Sequence, residues 1–250
     1  MAEHFILPEH TKAYFVSDAH LGSLVLNDDR ERERLLVCWL DDIRKDAGLI
    51  FFLGDIFDFW FEYKNVVPRG YTRLLGKIAE IADSGIPIHF LTGNHDIWIF
   101  DYLPSELGIT VHHKEVKTTI SGKKFFMAHG DLFDPFEKKT IKKLFRNRFL
   151  QKCFATLHPR IGVSLGRLWS KNSRLKHEGI SENEPEGLIV FAKSLLAQED
   201  FDFFVFGHLH QITNIPIDTK TRFIILGDWV RHFSYGVFDG ENFEIGNYRK

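Results

Sequence analysis

Five short apolar runs in this chain each end in residues that can bind a cation. They are Tyr14-Phe15-Val16-Ser17-Asp18-Ala19-His20, Phe51-Phe52-Leu53-Gly54-Asp55, Phe90-Leu91-Thr92-Gly93-Asn94-His95-Asp96, Phe125-Phe126-Met127-Ala128-His129-Gly130-Asp131 and Phe204-Val205-Phe206-Gly207-His208-Leu209-His210. One such ending would mean little; five describe a built site. Asp18 and Asp55 offer carboxylates, His20, His129, His208 and His210 offer imidazoles, Asn94 offers an amide, and no thiolate takes part. That set suits hard or borderline divalent ions such as manganese, iron or zinc. Seven ligands are too many for a single open catalytic ion. They suit two ions that share a bridging carboxylate, each with a position left for water or a phosphate oxygen. Ions held in such a pair could acidify a bound water and neutralise anionic oxygens.

The elements that must position these residues are legible in the hydrophobic pattern. Runs at 14–16, 49–53 and 86–91 alternate with helical spacings at Leu35, Leu36, Trp39, Leu40 and Ile43 and at Leu74, Leu75, Ile78, Ile81 and Ala82. Asn27 and Asp28 open the first helix, and Gly85 stops the second. The runs are apolar throughout, as strands buried on both faces must be. After a hairpin turn at Ser121-Gly122 come a strand at 123–127 and, from Phe203 onward, further strands at 212–217, 222–226, 235–238 and 243–245. The expected fold is α/β: a central sheet or two packed mixed sheets flanked by helices, with 1–250 forming one domain. In an open α/β sheet, residues just past the strand ends converge on one crevice.

Composition bounds the partners. The 250 residues include 32 Lys+Arg against 34 Asp+Glu, a formal net charge of −2, which argues against a general nucleic-acid binder and against an acidic tail. Two cysteines, Cys38 and Cys153, are too few for a disulfide framework and fit a reducing compartment. The N-terminus lacks a signal-peptide pattern and no run of 18 apolar residues occurs, so the expectation is a cytoplasmic protein that does not span a membrane. The −2 total hides an asymmetry. Residues 138–176 carry twelve Lys and Arg and no acid, so the other 211 residues carry −14. Apolar positions at 141, 144, 145, 149, 153, 154 and 157, and again at 161, 165, 168 and 169, recur at helical steps, with Pro159 separating two basic amphipathic helices.

The five endings, in this order, resemble the motifs of the calcineurin-like metallophosphoesterase superfamily: D-x-H, G-D-x-x-D, G-N-H-[DE], a lone H, and G-H-x-H. Here they stand as Asp18-Ala19-His20, Gly54-Asp55-Ile56-Phe57-Asp58, Gly93-Asn94-His95-Asp96, His129-Gly130-Asp131 and Gly207-His208-Leu209-His210. The resemblance implies a fold of two packed mixed sheets flanked by helices in four layers. It implies Asp18, His20, Asp55 and His210 on one metal, and Asp55, Asn94, His129 and His208 on the other. His95 is then the charge stabiliser or general acid, and Asp96 is expected to orient it. Asp58 and Asp131 each either hold a ligand histidine or cap a helix.

The step from Asn94 to His129 is 35 residues, but that from His129 to His208 is 79, and the surplus is the basic segment. An insertion at 135–180 that leaves and returns on either side of the site is expected to cover it as a substrate-selecting lid. With Gly54 to Trp60, this insertion with Asn172-Ser173-Arg174, and Leu226-Gly227-Asp228-Trp229, the chain resembles the UDP-2,3-diacylglucosamine pyrophosphatases of bacterial lipid A synthesis. That family implies manganese and attack of metal-activated water on the α-phosphorus, giving UMP and 2,3-diacylglucosamine 1-phosphate. It also implies acyl chains clamped under the insertion, an amphipathic nucleotide-lipid as partner, and peripheral contact with an anionic membrane at its inner face. The better-known members carry Arg where this chain has His95. Asp131, Asn172, Ser173, Arg174 and Lys176 are the candidate substrate contacts.

Two other readings compete. A phosphodiesterase on another nucleotide or nucleic acid would use the basic helices along a phosphate backbone. The bulky apolar residues among those charges argue against it, and no nucleic-acid partner is expected. A non-catalytic scaffold would have no reason to keep seven ligands and His95. His4, His10, His89, His112, His113, His158, His177 and His232 match no motif and read as surface or core residues, although His232 stands near enough to the last strand ends to reach the site. Most of the 25 phenylalanines read as core.

Overall fold

The protein is described here by a computed structural model that covers residues 3–133, 145–177 and 185–249, the side chains of 173–177 excepted. In chain order its elements begin with β1 (Glu3–Phe5), β2 (Lys12–Val16), α1 (Asp29–Ile43), β3 (Ala47–Phe52), α2 (Thr72–Asp83), β4 (Ile88–Leu91), α3 (Tyr102–Leu107) and β5 (Thr110–His112). Then follow β6 (Val116–Ile120), β7 (Lys123–Ala128), α4 (Arg148–Ala155), α5 (Pro159–His177), α6 (Glu186–Leu196), β8 (Phe203–Phe206), β9 (Ile212–Pro216), β10 (Arg222–Leu226), β11 (Ser234–Phe238) and β12 (Phe243–Asn247).

These strands form two mixed six-stranded sheets, ordered β12-β11-β2-β3-β4-β5 and β1-β6-β7-β8-β10-β9. In the first, β2 to β5 are parallel, as βαβ crossovers require, and β11 and β12 extend it antiparallel. The period-two alternation of each strand sorts its side chains between layers. Tyr14, Val16, Ile50 and Phe52 meet the helix face of Leu36, Trp39, Leu40, Leu74 and Ile78. Phe15 and Phe51, stacked with centroids 5.4 Å apart, face the other sheet and meet Phe125, Phe203, Val205 and Ile224. On that sheet's far side Phe126, Phe204 and Phe206 pack on Leu188 and Ala192 of α6. The result is four layers, helix–sheet–sheet–helix. Each fully buried phenylalanine contributes about 1.5–3 kcal/mol, so the Phe excess is largely the inter-sheet and outer cores.

The expected elements have their counterparts, with shifted ends. The third strand starts at Ile88, because Pro87 has no N–H to give the ladder. Asp28 does occupy the N-cap of α1, but in a left-handed conformation and without a side-chain cap bond; the neighbouring Asp29 instead accepts from the Gly22 N–H at 2.6 Å. Pro159 opens α5 as its first residue, a position that needs no N–H partner. That helix runs on to His177, beyond the apolar positions at 161–169, and α4 covers part of the apolar pattern at 141–157, whose first residues, 141–144, lie outside the described ones.

The two helices of the insertion sit on the segments that follow β3 and β4. Phe59, Phe61, Ile97 and Trp98 form a small core there with Phe145, Phe154 and Val163. The approach of α5 is close: a Cβ on Gly166 would collide with the Phe59 ring, and one on Gly162 with the Tyr63 hydroxyl.

Candidate dinuclear metal centre

All seven expected ligands lie just beyond the C-terminal ends of β2, β3, β4, β7 and β8, where the two sheets meet. Asp18 (φ 54°), His20 (φ 45°), Asp55 (φ 53°), His208 (φ 68°) and His210 (φ 55°) all adopt left-handed backbone conformations. Each costs on the order of 1–3 kcal/mol and survives only where its surroundings fix it. Here the turns are cross-bonded: Asp18 N–H donates to the Gly54 carbonyl at 3.0 Å and His20 N–H to that of Asp55 at 2.9 Å. Gly93 lets the third turn close in, since a Cβ there would stand 2.6 Å from the Asp55 backbone nitrogen.

Ligand atoms of Asp18, His20 and His210 lie within 4.8 Å of one another, as do those of Asp55, His129 and His208. Asp55 joins the groups: its Oδ2 is 3.2 Å from His129 Nε2 and 3.8 Å from His20 Nε2. Asn94 Oδ1 stands 3.3 Å from His129 Nε2. His129 Nδ1–H donates to the Leu53 carbonyl at 2.8 Å, which directs the Nε2 lone pair at two oxygens. Such an arrangement calls for a cation. Burial alone would push the His129 imidazolium pKa down, yet the adjoining Asp55 carboxylate lifts it to about 10. Burial likewise works to raise the Asp55 carboxyl, but the imidazoles of His129 and His95 hold it well below the ordinary carboxylate range. Asp18 Oδ1 is fully buried and has no hydrogen-bond partner among the described residues, standing 3.6 and 3.5 Å from Nε2 of His20 and His210. These donors fit divalent ions, and Asp55 lies within reach of both groups of ligands.

Behind the cluster stand residues that aim it. Asp58 Oδ1 is 3.6 Å from His20 Nδ1, so the second aspartate of Gly54-Asp55-Ile56-Phe57-Asp58 backs a histidine. Asp228, after β10, holds His210 Nδ1 at 3.3 Å and accepts the backbone N–H groups of Val230, Arg231 and His232. His232 reaches that same carboxylate, Nδ1 to Oδ1 at 3.4 Å, rather than the cluster. Asp131 is buried and pairs with Arg146 at 3.3 Å, tying the core to the start of the insertion.

His95 stands at the edge of the cluster, its ring perpendicular to His20 at 4.9 Å. The expectation that Asp96 orients it fails. The Asp96 carboxylate accepts backbone N–H bonds from Gly93 at 2.7 Å, Ile56 at 2.9 Å and Phe57 at 3.4 Å, so it fastens two site turns together. Three donors in one pocket outcompete a ring that has its own partners: His95 Nδ1–H is 2.9 Å from the Asp58 carbonyl and 3.1 Å from Ser170 Oγ. Ser170, from α5, in turn donates to Asp58 Oδ2 at 2.6 Å. Nothing in the sequence marked Ser170. Asp228 was detectable, because Gly227-Asp228 after an apolar run repeats the pattern of Gly54-Asp55.

Beside His95 a cavity of about 180 Å³ opens under the insertion, walled by Phe59, Ile97, Trp98, Phe145, Leu165 and Trp169. Of the expected substrate contacts, Asn172 is exposed on α5, and the side chains of Ser173, Arg174 and Lys176 lie outside the described residues.

Residues 11–212 match the calcineurin-like phosphoesterase family model. The chain belongs to the calcineurin-like phosphoesterase family. As a member it is a hydrolase of phosphoesters, and the clustered carboxylates and imidazoles are candidate ligands for the divalent metals that the family implies. The chain is similar to the UDP-2,3-diacylglucosamine hydrolase of Porphyromonas gingivalis, 43% identical over 252 residues that cover 92% of this chain and 95% of the relative. The enzyme of that name from Photobacterium profundum is 25% identical over 88% and 90% of the two chains. Among solved structures, the phosphoesterase Yfce from E. coli aligns with a TM-score of 0.48 at 16% identity, over 96% of this chain and 94% of that one. No helix among the described residues is long and apolar enough to cross a membrane.

Proposed function

We propose that this phosphoesterase cleaves UDP-2,3-diacylglucosamine, attacking the α-phosphorus to give UMP and 2,3-diacylglucosamine 1-phosphate. The observation that carries the reading is the junction of two opposite chemistries at His95: a carboxylate–imidazole cluster on one side and an aromatic cavity on the other. A substrate matched to both has a phosphoanhydride joined to apolar chains. The relatives' names agree with it.

Asp18, His20, Asp55 and His210 would hold one ion, and Asp55, Asn94, His129 and His208 the other, with manganese favoured by the oxygen and imidazole donors. Bound there, two divalent ions supply an acidified water and neutralise charge on the phosphoryl oxygens. The chain's own residues do the rest. With Nδ1–H fixed on the Asp58 carbonyl and Ser170, His95 keeps Nε2 as the atom that holds or gives a proton to the phosphoryl or leaving-group oxygen. The aromatic wall excludes water from the same place.

In this reading residues 135–180 are a lid inserted into a single domain. Apolar Phe149, Leu150, Ile161, Leu165 and Leu168 are exposed on its helices, alongside Arg148, Lys152 and Arg160. That combination fits acyl chains and a peripheral seat on an anionic membrane surface. The test is UMP release from UDP-2,3-diacylglucosamine with added Mn2+. Cleavage of DNA, cyclic nucleotides or a nitrophenyl ester without it would overturn the substrate.

A further inference from the structure

A second group of cation-binding side chains lies at the edges of the two sheets and takes no part in phosphoester hydrolysis. Glu3 stands on β1, the edge strand of one sheet. His112 stands on β5, the edge strand of the other, and His89 lies on the adjacent β4. One ligand atom from each lies within 4.8 Å of those of the other two.

The position of His89 is the unusual part. Leu91, two residues on along the same strand face, packs in the apolar core between the sheets, yet His89 puts an imidazole there, 4% exposed. The rings of Phe5 and Phe51 flank it, each at 5.0 Å. Burying such a ring is costly unless its nitrogens are used. Among the described residues its one side-chain hydrogen bond joins Nδ1 to His112 Nε2 at 2.9 Å, so these two nitrogens share one proton. The exposed Glu3 carboxylate lies at the mouth of this pair.

We infer that Glu3, His89 and His112 form a third cation site, which takes a borderline divalent ion such as Zn2+ and clasps the edge strands of the two sheets. Two imidazoles and one carboxylate are a zinc donor set, and the exposed side leaves a fourth position to water. Burial holds both imidazoles below their ordinary pKa, so neither is protonated at neutral pH and the nitrogen lone pairs are available. On binding, the ring that carries the shared proton gives it up at the bonded nitrogen and takes one at its other nitrogen, so both imidazoles stay neutral, no net proton is released, and the ion stands where the hydrogen bond was. The site is separate from the catalytic cluster, so its success or failure says nothing about the substrate.

The test is equilibrium dialysis against Zn2+ of the wild-type chain and of the Glu3→Gln/His112→Gln double variant, with far-ultraviolet circular dichroism to establish that both are folded. The inference requires the wild type to retain one more Zn2+ per chain than the variant. Crystals soaked in Zn2+ should give an anomalous peak among the three residues. Equal retention by the two folded proteins, or no peak there, would overturn it.

Discussion

Ser170 donates a hydrogen bond of 2.6 Å to the carboxylate of Asp58, a contact that joins the basic insertion to the metal cluster. Asp58 backs His20 with its other oxygen and His95 with its carbonyl, and Ser170 Oγ lies 3.1 Å from His95 Nδ1. The helix that walls the aromatic cavity therefore also sets the ring expected to handle the proton. If the cavity takes the apolar part of the proposed substrate, its filling and the orientation of His95 are coupled through α5.

Ser170→Ala removes a hydrogen bond to a charged group, worth about 1.5–3 kcal/mol, and loosens His95. Turnover should fall roughly tenfold or more, about 1.4 kcal/mol per factor of ten, with bound metal unchanged. Ser170→Thr keeps the hydroxyl and should restore most of the rate. Steady-state kinetics beside metal analysis separates this from loss of the ions.

Trp169 packs on Phe145 at 4.7 Å and lies 6.3 Å from His95. Trp169→Ala opens the cavity wall, losing apolar contact of about 1.5–3 kcal/mol. The KM for the diacylated substrate should rise about ten- to a hundredfold, while hydrolysis of a small nitrophenyl phosphodiester stays near normal. An equal loss on both substrates would mean that the wall supports the metal cluster instead.

Asp96→Ala leaves three buried backbone N–H groups without their acceptor. The expected result is a loss of stability of about 3 kcal/mol or more, measured by urea unfolding. If Asp96 acted on His95, the variant would show an altered pH–rate profile at full stability.

The motif residues could be read from the chain because strand, turn and ligand are adjacent in sequence, and burial on both faces makes the strands apolar throughout. Asp58 sat in a motif with two readings open, and only the contact with His20 chose between them. The partners of Asp96 are not legible in the sequence, because adjacency to His95 says nothing about where a carboxylate finds its donors. Ser170 is 75 residues from His95 and 112 from Asp58, a meeting made by the docking of α5 through Gly162 and Gly166 and carried by no local pattern.

Burial pushes the His89 pKa down to about 4, with His112 adding to the shift. An unfolded histidine titrates near 6.5, so between about pH 6.5 and 4 the unfolded chain binds a proton that the folded chain refuses. Stability in the presence of a chelator should be full above pH 6.5 and fall as the pH drops toward 4, by up to about 3 kcal/mol from this residue. His89→Leu should flatten that dependence in urea unfolding curves.

A metal-dependent phosphoesterase that attacks the α-phosphorus of the proposed nucleotide-lipid must leave the oxygen of the attacking water on the nucleotide product. Hydrolysis of UDP-2,3-diacylglucosamine in 18O-labelled water with Mn2+, followed by mass spectrometry of both products, tests it most directly. One 18O atom is expected in UMP and none in the diacylglucosamine 1-phosphate. Label in the lipid phosphate, or no cleavage of this substrate by the metal-loaded protein, would contradict it.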